Sequence, residues 1–225
     1  MNSCSFTVTT ATMGRPSLRR TIADVRTALQ NFDYEHVLIW DDRRVDGGLG
    51  PQDVDAPGLI QHVIYHAVKT GTDKIGLGWA SASKQFVVNL DDDCWLDDTR
   101  AFEKMAGELS STGAGWGFWL RNLYAPDGTF IGVDRHESIG HLKPGPMGAA
   151  SETFVDMNCM CVRRDYAMMA ARYMCEFRDA AMDRAIYRGL AQMAGPPFVI
   201  EEPLVGYTMP ERLLGMARHF CGRGE

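Results

Sequence analysis

Three consecutive aspartates, Asp91, Asp92 and Asp93, constrain this sequence more than any other feature. This Asp triplet directly follows residues 86–90, an apolar run rich in β-forming side chains that predicts a buried strand. Crowded carboxylates repel one another unless a positive charge lies among them, so the triplet favours a divalent cation bound with a phosphate-bearing ligand. Strand alternation would point Asp91 and Asp93 to one side and Asp92 to the other. The alternative is a solvated acidic loop.

Strand and helix patterns alternate through the first half of the chain. Residues 5–10 and 36–40 predict strands with a helix between them, and residues 59–68 predict a second helix. A short helical segment is expected near 79–83, before the strand that leads into the Asp triplet. This order is typical of a mostly parallel sheet with helices on both sides, an α/β fold. Ligands of such sheets bind beyond the carboxyl ends of the strands. Asp41 and Asp42 also follow a predicted strand, which favours one site at this edge over two unrelated acidic loops.

The second half of the chain combines strands and helices with a long loop. The predicted strands cover 116–120, 154–162, 197–200 and 204–207, and the predicted helices cover 165–175 and 179–193. Residues 126–129, with the sequence Pro-Asp-Gly-Thr, predict a hairpin turn. Residues 134–152 carry several glycines and prolines, and we interpret them as a functional loop or lid.

Length, charge and cysteine usage narrow the class of protein. The 225 residues are enough for one α/β domain or two small ones. A net charge of -6 argues against a surface built for nucleic acid or acidic membranes. No apolar run reaches the length of a membrane span, and the N-terminus lacks the regions of a signal peptide. The six cysteines show no disulfide spacing. We therefore expect a cytoplasmic protein with reduced thiols.

Five segments, taken in order, resemble family-2-type glycosyltransferases with a GT-A fold. They are the opening strand and turn (7–16), the second strand (37–42), the segment that ends in the Asp triplet (78–93), the helix start Met-Asp-Arg-Ala-Ile (182–186) and the segment that usually follows it (200–207). A narrower set resembles a small soluble branch of this family; it comprises 120–122, 126–128, Asp134, 137–140 and 155–158.

The resemblance implies a single GT-A-type domain over residues 1–225. Its mostly parallel nucleotide-binding sheet would be flanked by helices, with a smaller region on the acceptor side. Residues 1–110 would form the half that binds the nucleotide sugar. Residues 111–225 would form the acceptor and catalytic half.

The implied activity is transfer of one sugar from a nucleotide diphosphate sugar, a UDP-sugar, to an acceptor hydroxyl with inversion. The Gln-x-x-Arg-Trp motif and the membrane helices of processive synthases are missing, which argues for a single transfer. A bound Mn²⁺ or Mg²⁺ would stabilise the leaving diphosphate as a Lewis acid. We expect Asp93 to be the direct metal ligand. Asp91 would join it as a ligand, or contact ribose or a metal-bound water.

Besides Asp91, five residues are candidates for donor binding. Asp41 would accept the imide N–H of uracil, with Asp42 as the fallback. Thr10 and Arg15 belong to the loop that would border the nucleotide, and Arg15 would contact phosphate unless it is an ordinary surface arginine. Asp92 completes the set as a member of the triplet.

Catalysis needs a carboxylate that takes the proton of the acceptor hydroxyl. Asp183 matches the family position, although Met182 stands where many relatives have Glu. Asp179, one turn earlier, is the runner-up, and the alternative for either is a helix-capping role. Glu137 and Asp156 are candidates for binding acceptor hydroxyls.

Aromatic and cysteine residues near these motifs have simpler expectations. Trp95, just after the triplet, is a candidate for lining the donor pocket. Trp116 and Trp119 are expected in the core, and so are Cys159 and Cys161, because two thiols alone make a poor zinc site.

Three other functions are considered from the sequence, and two of them remain open. A retaining glycosyltransferase would use the same fold. A nonenzymatic nucleotide- or glycan-binding protein would keep the fold without turnover. A nucleotidyltransferase is disfavoured, because the Gly-rich loop expected after the first strand is missing.

Overall fold

The computed structural model describes residues 4–41, 48–64, 71–134, 155–176 and 182–221. The strands in these ranges are β1 (Ser5–Thr12), β2 (Asp33–Asp41), β3 (Leu59–Ile64), β4 (Phe86–Asn89), β5 (Cys94–Leu96), β6 (Trp116–Tyr124), β7 (Phe130–Asp134), β8 (Met160–Arg163) and β9 (Phe198–Thr208). The helices are α1 (Leu18–Ala28), α2 (Gly71–Ser81), α3 (Ala101–Thr112), α4 (Arg164–Glu176), α5 (Met182–Met193) and α6 (Leu214–Cys221). Short 3₁₀ turns lie at Pro51–Asp53, Met157–Cys159 and Glu211–Leu213.

All nine strands form one sheet in the order β3-β2-β1-β4-β8-β6-β9-β5, and β7 pairs with β6 beside this path. The quartet β3-β2-β1-β4 is parallel throughout. Beyond it, β8 runs antiparallel to both β4 and β6, whereas β6 and β9 are parallel. The predicted α/β fold with a mostly parallel sheet flanked by helices is confirmed.

The core explains why these segments form these elements. Strands β1, β2 and β4 are buried along nearly their whole length, as expected for parallel strands that are covered on both faces. Helix α1 buries Leu18, Ile22 and Val25, the apolar residues with helical spacing. Trp116 and Trp119 are at most 1% exposed, so their predicted core role is confirmed.

The predicted helix at 59–68 is wrong. Residues Leu59–Ile64 form the edge strand β3, which pairs in parallel with β2. In a short apolar segment, periodicity alone does not distinguish a helix from a strand. Here the β-branched Ile60 and Val63 favour the strand. Residues 65–70 lie outside the described ranges. The short helix expected near 79–83 is the end of the longer helix α2, which begins at Gly71 and ends at Ser81.

The second half departs from prediction in two places. The strand predicted at 154–162 is a 3₁₀ turn followed by the short β8. The two strands predicted at 197–200 and 204–207 are one strand, β9. Its register against β6 shifts where Leu120 faces Pro203, and a shift of this kind admits a proline into a strand.

The hairpin turn predicted at 126–129 is confirmed. It joins the antiparallel strands β6 and β7, and Gly128 has the positive φ of 84° that such turns demand. The predicted loop at 134–152 falls almost entirely on residues outside the described ranges. Within the described part of the chain, no helix is both long and apolar enough to cross a membrane.

Candidate functional site

The Asp triplet leaves β4 at the carboxyl edge of the parallel quartet, and β1 fixes its starting point. The Leu90 N–H donates to the Thr9 carbonyl at 2.9 Å, and the Thr10 hydroxyl donates to the Leu90 carbonyl at 2.6 Å. The same hydroxyl lies 2.9 Å from His36 Nε2, whose pKa burial lowers to about 3. Thr10 is fully buried, so its side chain supports the triplet from within the sheet. Its predicted contact with the donor remains untested.

Asp92 points back toward β1 and is only 2% exposed. Its carboxylate accepts hydrogen bonds from the Thr12 hydroxyl at 2.6 Å, the Met13 N–H at 3.2 Å and the Arg15 guanidinium at 2.6 Å. These bonds tie the triplet to the loop between β1 and α1. This arrangement favours a supporting role for Asp92, and the prediction that it contacts the donor is untested.

Asp91 faces the second half of the chain. Its carboxylate accepts from the side-chain amides of Asn89 at 3.2 Å and Asn158 at 3.0 Å. Its backbone N–H donates to Asn158 Oδ1 at 2.7 Å. Burial raises the pKa of Asp91 to about 7, the Asp93 charge adds to this shift, and the two amides oppose it. Asn158 was not predicted as a site residue, although it lies in a segment of the narrower resemblance.

Two carboxylates of the triplet contact Arg15, and Asp93 is the more exposed of them. Its side chain is 28% exposed, and its Oδ2 lies 2.9 Å from Arg15 Nη1. Burial raises the pKa of Asp93, and Arg15 opposes that shift. Burial disfavours the charge on Arg15, but Asp92 and Asp93 outweigh it and raise the Arg15 pKa. The Arg15 guanidinium thus lies between two carboxylates, a position in which a metal ion would also be stabilised.

The chemistry of this edge fits a hard divalent ion. The charge of Asp93 raises the pKa of Asp91 and so the cost of ionising it, which a cation between them would relieve. Among the described residues, no group of three or more His, Cys, Asp or Glu side chains is arranged to hold a metal ion. A two-carboxylate site suits Mg²⁺ or Mn²⁺ that takes its remaining oxygen ligands from water and phosphates.

A second charged group lies beside the triplet and is here called the Arg121 cluster: Arg121, Asp134 and Asp156. Arg121 on β6 is almost fully buried and contacts Asp134 at 3.0 Å and Asp156 at 2.8 Å. Burial opposes its charge, but the two carboxylates hold the Arg121 pKa well above its usual value. Asp156 also accepts from the Asn158 side chain at 2.9 Å. Asn158 also contacts Asp91, so it links the triplet to Asp156, a candidate for binding acceptor hydroxyls.

Asp183 lies in the first turn of α5 and is half-buried. Cys159 packs in the core as expected. Burial is the main cause that raises the pKa of its thiol, and the charges of Asp156, Asp134 and Asp183 add to this shift. The roles predicted for Asp179, Glu137 and Asp42 fall on residues outside the described ranges.

Asp41 ends β2 and forms a buried ion pair. Its carboxylate accepts from Lys74 Nζ of α2 at 2.8 Å, and both side chains are less than 10% exposed. A buried ion pair fixes the orientation of both groups, because removing either leaves an uncompensated charge. The sequence did not indicate Lys74, since the helix that carries it was predicted to begin later.

An open cavity of about 660 Å³ begins at Asp93 and Arg15. The start of α1, strand β5, the β6–β7 turn and the end of β9 form its walls. Trp95, predicted to line the donor pocket, lies in this cavity rather than beside Asp41.

Solved structures of S. aureus TarS share this architecture. The structure of TarS 1–349 has a TM-score of 0.62 and 14% identity, and the match covers 96% of this chain and 64% of that one. A longer TarS structure gives 0.60 and 14%, with 96% and 39% covered. TarS 1–349 in complex with UDP-GlcNAc gives 0.60 and 12%, with 92% and 59% covered.

At this level of identity, the similarity establishes the fold. The chain spans less than two thirds of each of these TarS chains. No protein-family model matches the sequence. Comparison with curated proteins gives no match either.

Proposed function

We propose that this chain is a glycosyltransferase that moves one sugar from a UDP-sugar to an acceptor hydroxyl, with a divalent metal and with inversion. One observation carries the proposal. The Asp91–Asp93 pair lies at the carboxyl edge of the sheet, in a fold shared with a TarS structure that contains UDP-GlcNAc. Nucleotide ligands of α/β sheets bind at this edge.

The leaving diphosphate is the group that most needs stabilisation in such a reaction. Asp93 and Asp91 would hold Mn²⁺ or Mg²⁺, which supplies Lewis-acid stabilisation of the developing negative charge. Arg15 adds a fixed positive charge next to Asp93. Asp92 keeps Arg15 and the loop after β1 in register with the triplet.

The nucleotide base would lie at the end of β2. Asp41 would accept the uracil imide N–H, and the ion pair with Lys74 keeps its carboxylate in one orientation. An acceptor held in one orientation favours bases that present a ring N–H to it, as uracil does. We therefore propose a uridine donor.

Proton removal from the acceptor hydroxyl is assigned to Asp183. Its charge adds to the pKa shift of the buried Cys159 thiol, as do the charges of Asp134 and Asp156 in the Arg121 cluster, and Asn158 connects that cluster to Asp91. A carboxylate is a suitable base here, because the hydroxyl loses its proton only as the new bond forms. Attack from the side opposite the diphosphate would invert the anomeric centre.

A thermal-shift experiment tests this function. UDP-GlcNAc at about 100 times its Kd should stabilise the protein by about 2.7 kcal/mol in the presence of Mn²⁺. The shift should be much smaller with a chelator, and smaller with GDP- or dTDP-sugars. Asp55→Asn, an exposed carboxylate far from the triplet in sequence, is the control and should behave as the wild type.

Release of UDP from the bound donor separates an enzyme from a binding protein. Slow Mn²⁺-dependent hydrolysis of UDP-GlcNAc is expected. Binding without any turnover, even with acceptors present, would favour the nonenzymatic alternative. Absence of a metal-dependent shift with every nucleotide sugar tested would reject the proposal.

A further inference from the structure

The cavity beside Asp93 has features that donor binding does not use. Its volume of about 660 Å³ falls within the range of small-molecule sites. Asp93 and Arg15 contribute to its lining, but Asp41 does not. The cavity therefore extends from the triplet in a direction other than the predicted uracil site.

Trp95 gives this cavity an aromatic wall. The chain has five tryptophans, and Trp95 alone is partly exposed, whereas the other four are at most 1% exposed. Its indole lies flat on β9 at Gly206, where an added Cβ would come within 2.3 Å of the ring. On the other side, the Arg20 guanidinium stands 4.3 Å from the ring centre. Tyr124 extends the wall, with its ring 5.1 Å from that of Trp95.

Asp97 is held rigidly at the edge of this wall. Its carboxylate accepts from the Trp95 indole N–H, the Asn122 side chain at 2.8 Å and the Tyr124 hydroxyl at 3.0 Å. Despite these three bonds, Asp97 remains exposed. A carboxylate has about four acceptor positions, so three bonds fix its orientation and leave room for one from a ligand.

The charges of the cavity identify the class of ligand. Two arginines, Arg15 and Arg20, are balanced by two aspartates, Asp93 and Asp97. An anionic ligand would face the aspartates, and an apolar one would use none of the hydrogen-bonding capacity that Arg20 and Asp97 retain. A neutral ligand with many hydroxyls both donates to Asp97 and accepts from Arg20. Gly206 and Arg20 cover the two faces of the indole, so sugar rings would contact its edge and the neighbouring Tyr124, which also lines the cavity.

We propose that this cavity is an acceptor subsite for a neutral glycan, with Arg20 and Asp97 binding its hydroxyls. The glycan would lie along the Trp95 wall and leave the reacting end near Asp93. Stacking on the indole fixes the plane of the Arg20 guanidinium and directs its N–H groups sideways, toward ligand oxygens. The acceptor role rests on the proposed function, whereas glycan binding itself does not.

Quenching of tryptophan fluorescence by acrylamide tests this proposal. Because four tryptophans are buried, quenching reports chiefly on Trp95. The probes are chitotriose, maltotriose and cellotriose, each up to about 10 mM, with inorganic phosphate as the anionic comparison. At least one trisaccharide should protect Trp95 with a Kd of ~1 mM or lower.

Two substitutions and one matched control locate the binding. Arg20→Gln and Asp97→Asn should each weaken trisaccharide binding about tenfold, the usual effect of losing a hydrogen bond to a charged group. Arg19→Gln changes the net charge as Arg20→Gln does, but its side chain is exposed and outside this cavity, so binding should be unchanged. Circular dichroism checks that Asp97→Asn is folded.

The outcomes are distinct. Protection by phosphate but by no trisaccharide, or no protection by any probe, overturns the subsite. Equal binding by Arg20→Gln and Arg19→Gln overturns the assignment to this cavity. The Mn²⁺-dependent shift with UDP-GlcNAc, measured on the same wild-type protein, reports on the proposed function separately. If that shift is absent while trisaccharide binds, the glycan site stands and the transferase proposal fails.

Discussion

The Asp triplet and the Arg121 cluster both gather carboxylates, but they balance charge differently. In the cluster, a buried guanidinium contacts both carboxylates directly. In the triplet, the half-exposed Arg15 contacts Asp92 and Asp93, whereas side-chain amides meet Asp91. The cluster is therefore a structural ion-pair group, and the triplet retains repulsion that a divalent cation would relieve. Because carboxylates gather in both groups, clustering alone does not identify a ligand site. Incomplete compensation of their charge does.

The largest expected effect is on the transfer rate, for a substitution of the proposed base, Asp183. Asp183→Asn should keep donor binding and lower the transfer rate about a hundredfold to ten-thousandfold, the usual cost of removing a general base. Asn caps a helix about as well as Asp, so the size of the loss separates catalysis from capping. Transfer rates with an identified acceptor provide the measurement.

Asp179→Asn serves as the comparison for that variant and should be mild. A nearly normal rate for Asp183→Asn beside an inactive Asp179→Asn would move the base to Asp179. Two active variants would leave the mechanism without a base.

Arg121→Met should lower the free energy of unfolding by about 3–5 kcal/mol, because it leaves Asp134 and Asp156 without their buried partner. Urea unfolding measures this loss. Arg163→Met is the control, since Arg163 and Asp165 form an exposed pair that contributes about 0–1 kcal/mol. Equal effects of the two substitutions would contradict a structural role for the cluster.

Asn158→Ala tests the link between the two charged groups. Asn158 holds both Asp91 and Asp156, so its loss should weaken Mn²⁺-dependent UDP-GlcNAc binding about tenfold to a hundredfold, as is common for residues that orient metal ligands. Calorimetry gives the affinity, and Asn31→Ala, an exposed asparagine, is the control. Unchanged affinity in a folded Asn158→Ala protein would remove this link from the account.

The smallest effect concerns pH and Asp91. The folded-state pKa of about 7 lies above the ordinary 3.8, so the folded protein keeps a proton that the unfolded chain releases. Stability from Asp91 is therefore fully present below about pH 4 and is lost as pH rises through 7. In metal-free protein, Asp91→Asn should gain stability relative to wild type over this window, by about 1–2 kcal/mol at pH 8. Thermal unfolding from pH 5 to 8 measures the difference, and a constant difference would contradict the raised pKa.

The sequence predicted the α/β fold and the edge that carries Asp41 and the triplet, because parallel strands end at a common edge. It missed the partners of these residues, since the contacts are made far along the chain. Asn158 lies 67 residues from Asp91, and Lys74 lies 33 residues from Asp41. No local pattern encodes such pairs.

Local patterns also failed where tertiary pairing decided the structure. The segment at 59–68 became the edge strand β3 because β2 offered it a pairing partner. Pro203 lies between the two strands predicted at 197–200 and 204–207, but the register shift opposite Leu120 lets β9 continue through it. The sequence did not predict the contacts of the Trp95 indole for the same reason, because Gly206 and Arg20 reach it from distant elements.

Titration calorimetry of UDP-GlcNAc with wild type and Asp93→Ala, each with and without Mn²⁺, is the sharpest test of the proposed metal site at the Asp triplet. We expect Mn²⁺ to strengthen binding to the wild type. Folded Asp93→Ala should lose this dependence, whereas Asp55→Ala should retain it. Unchanged Mn²⁺-dependent affinity in folded Asp93→Ala would contradict the claim that the triplet is a metal and diphosphate site.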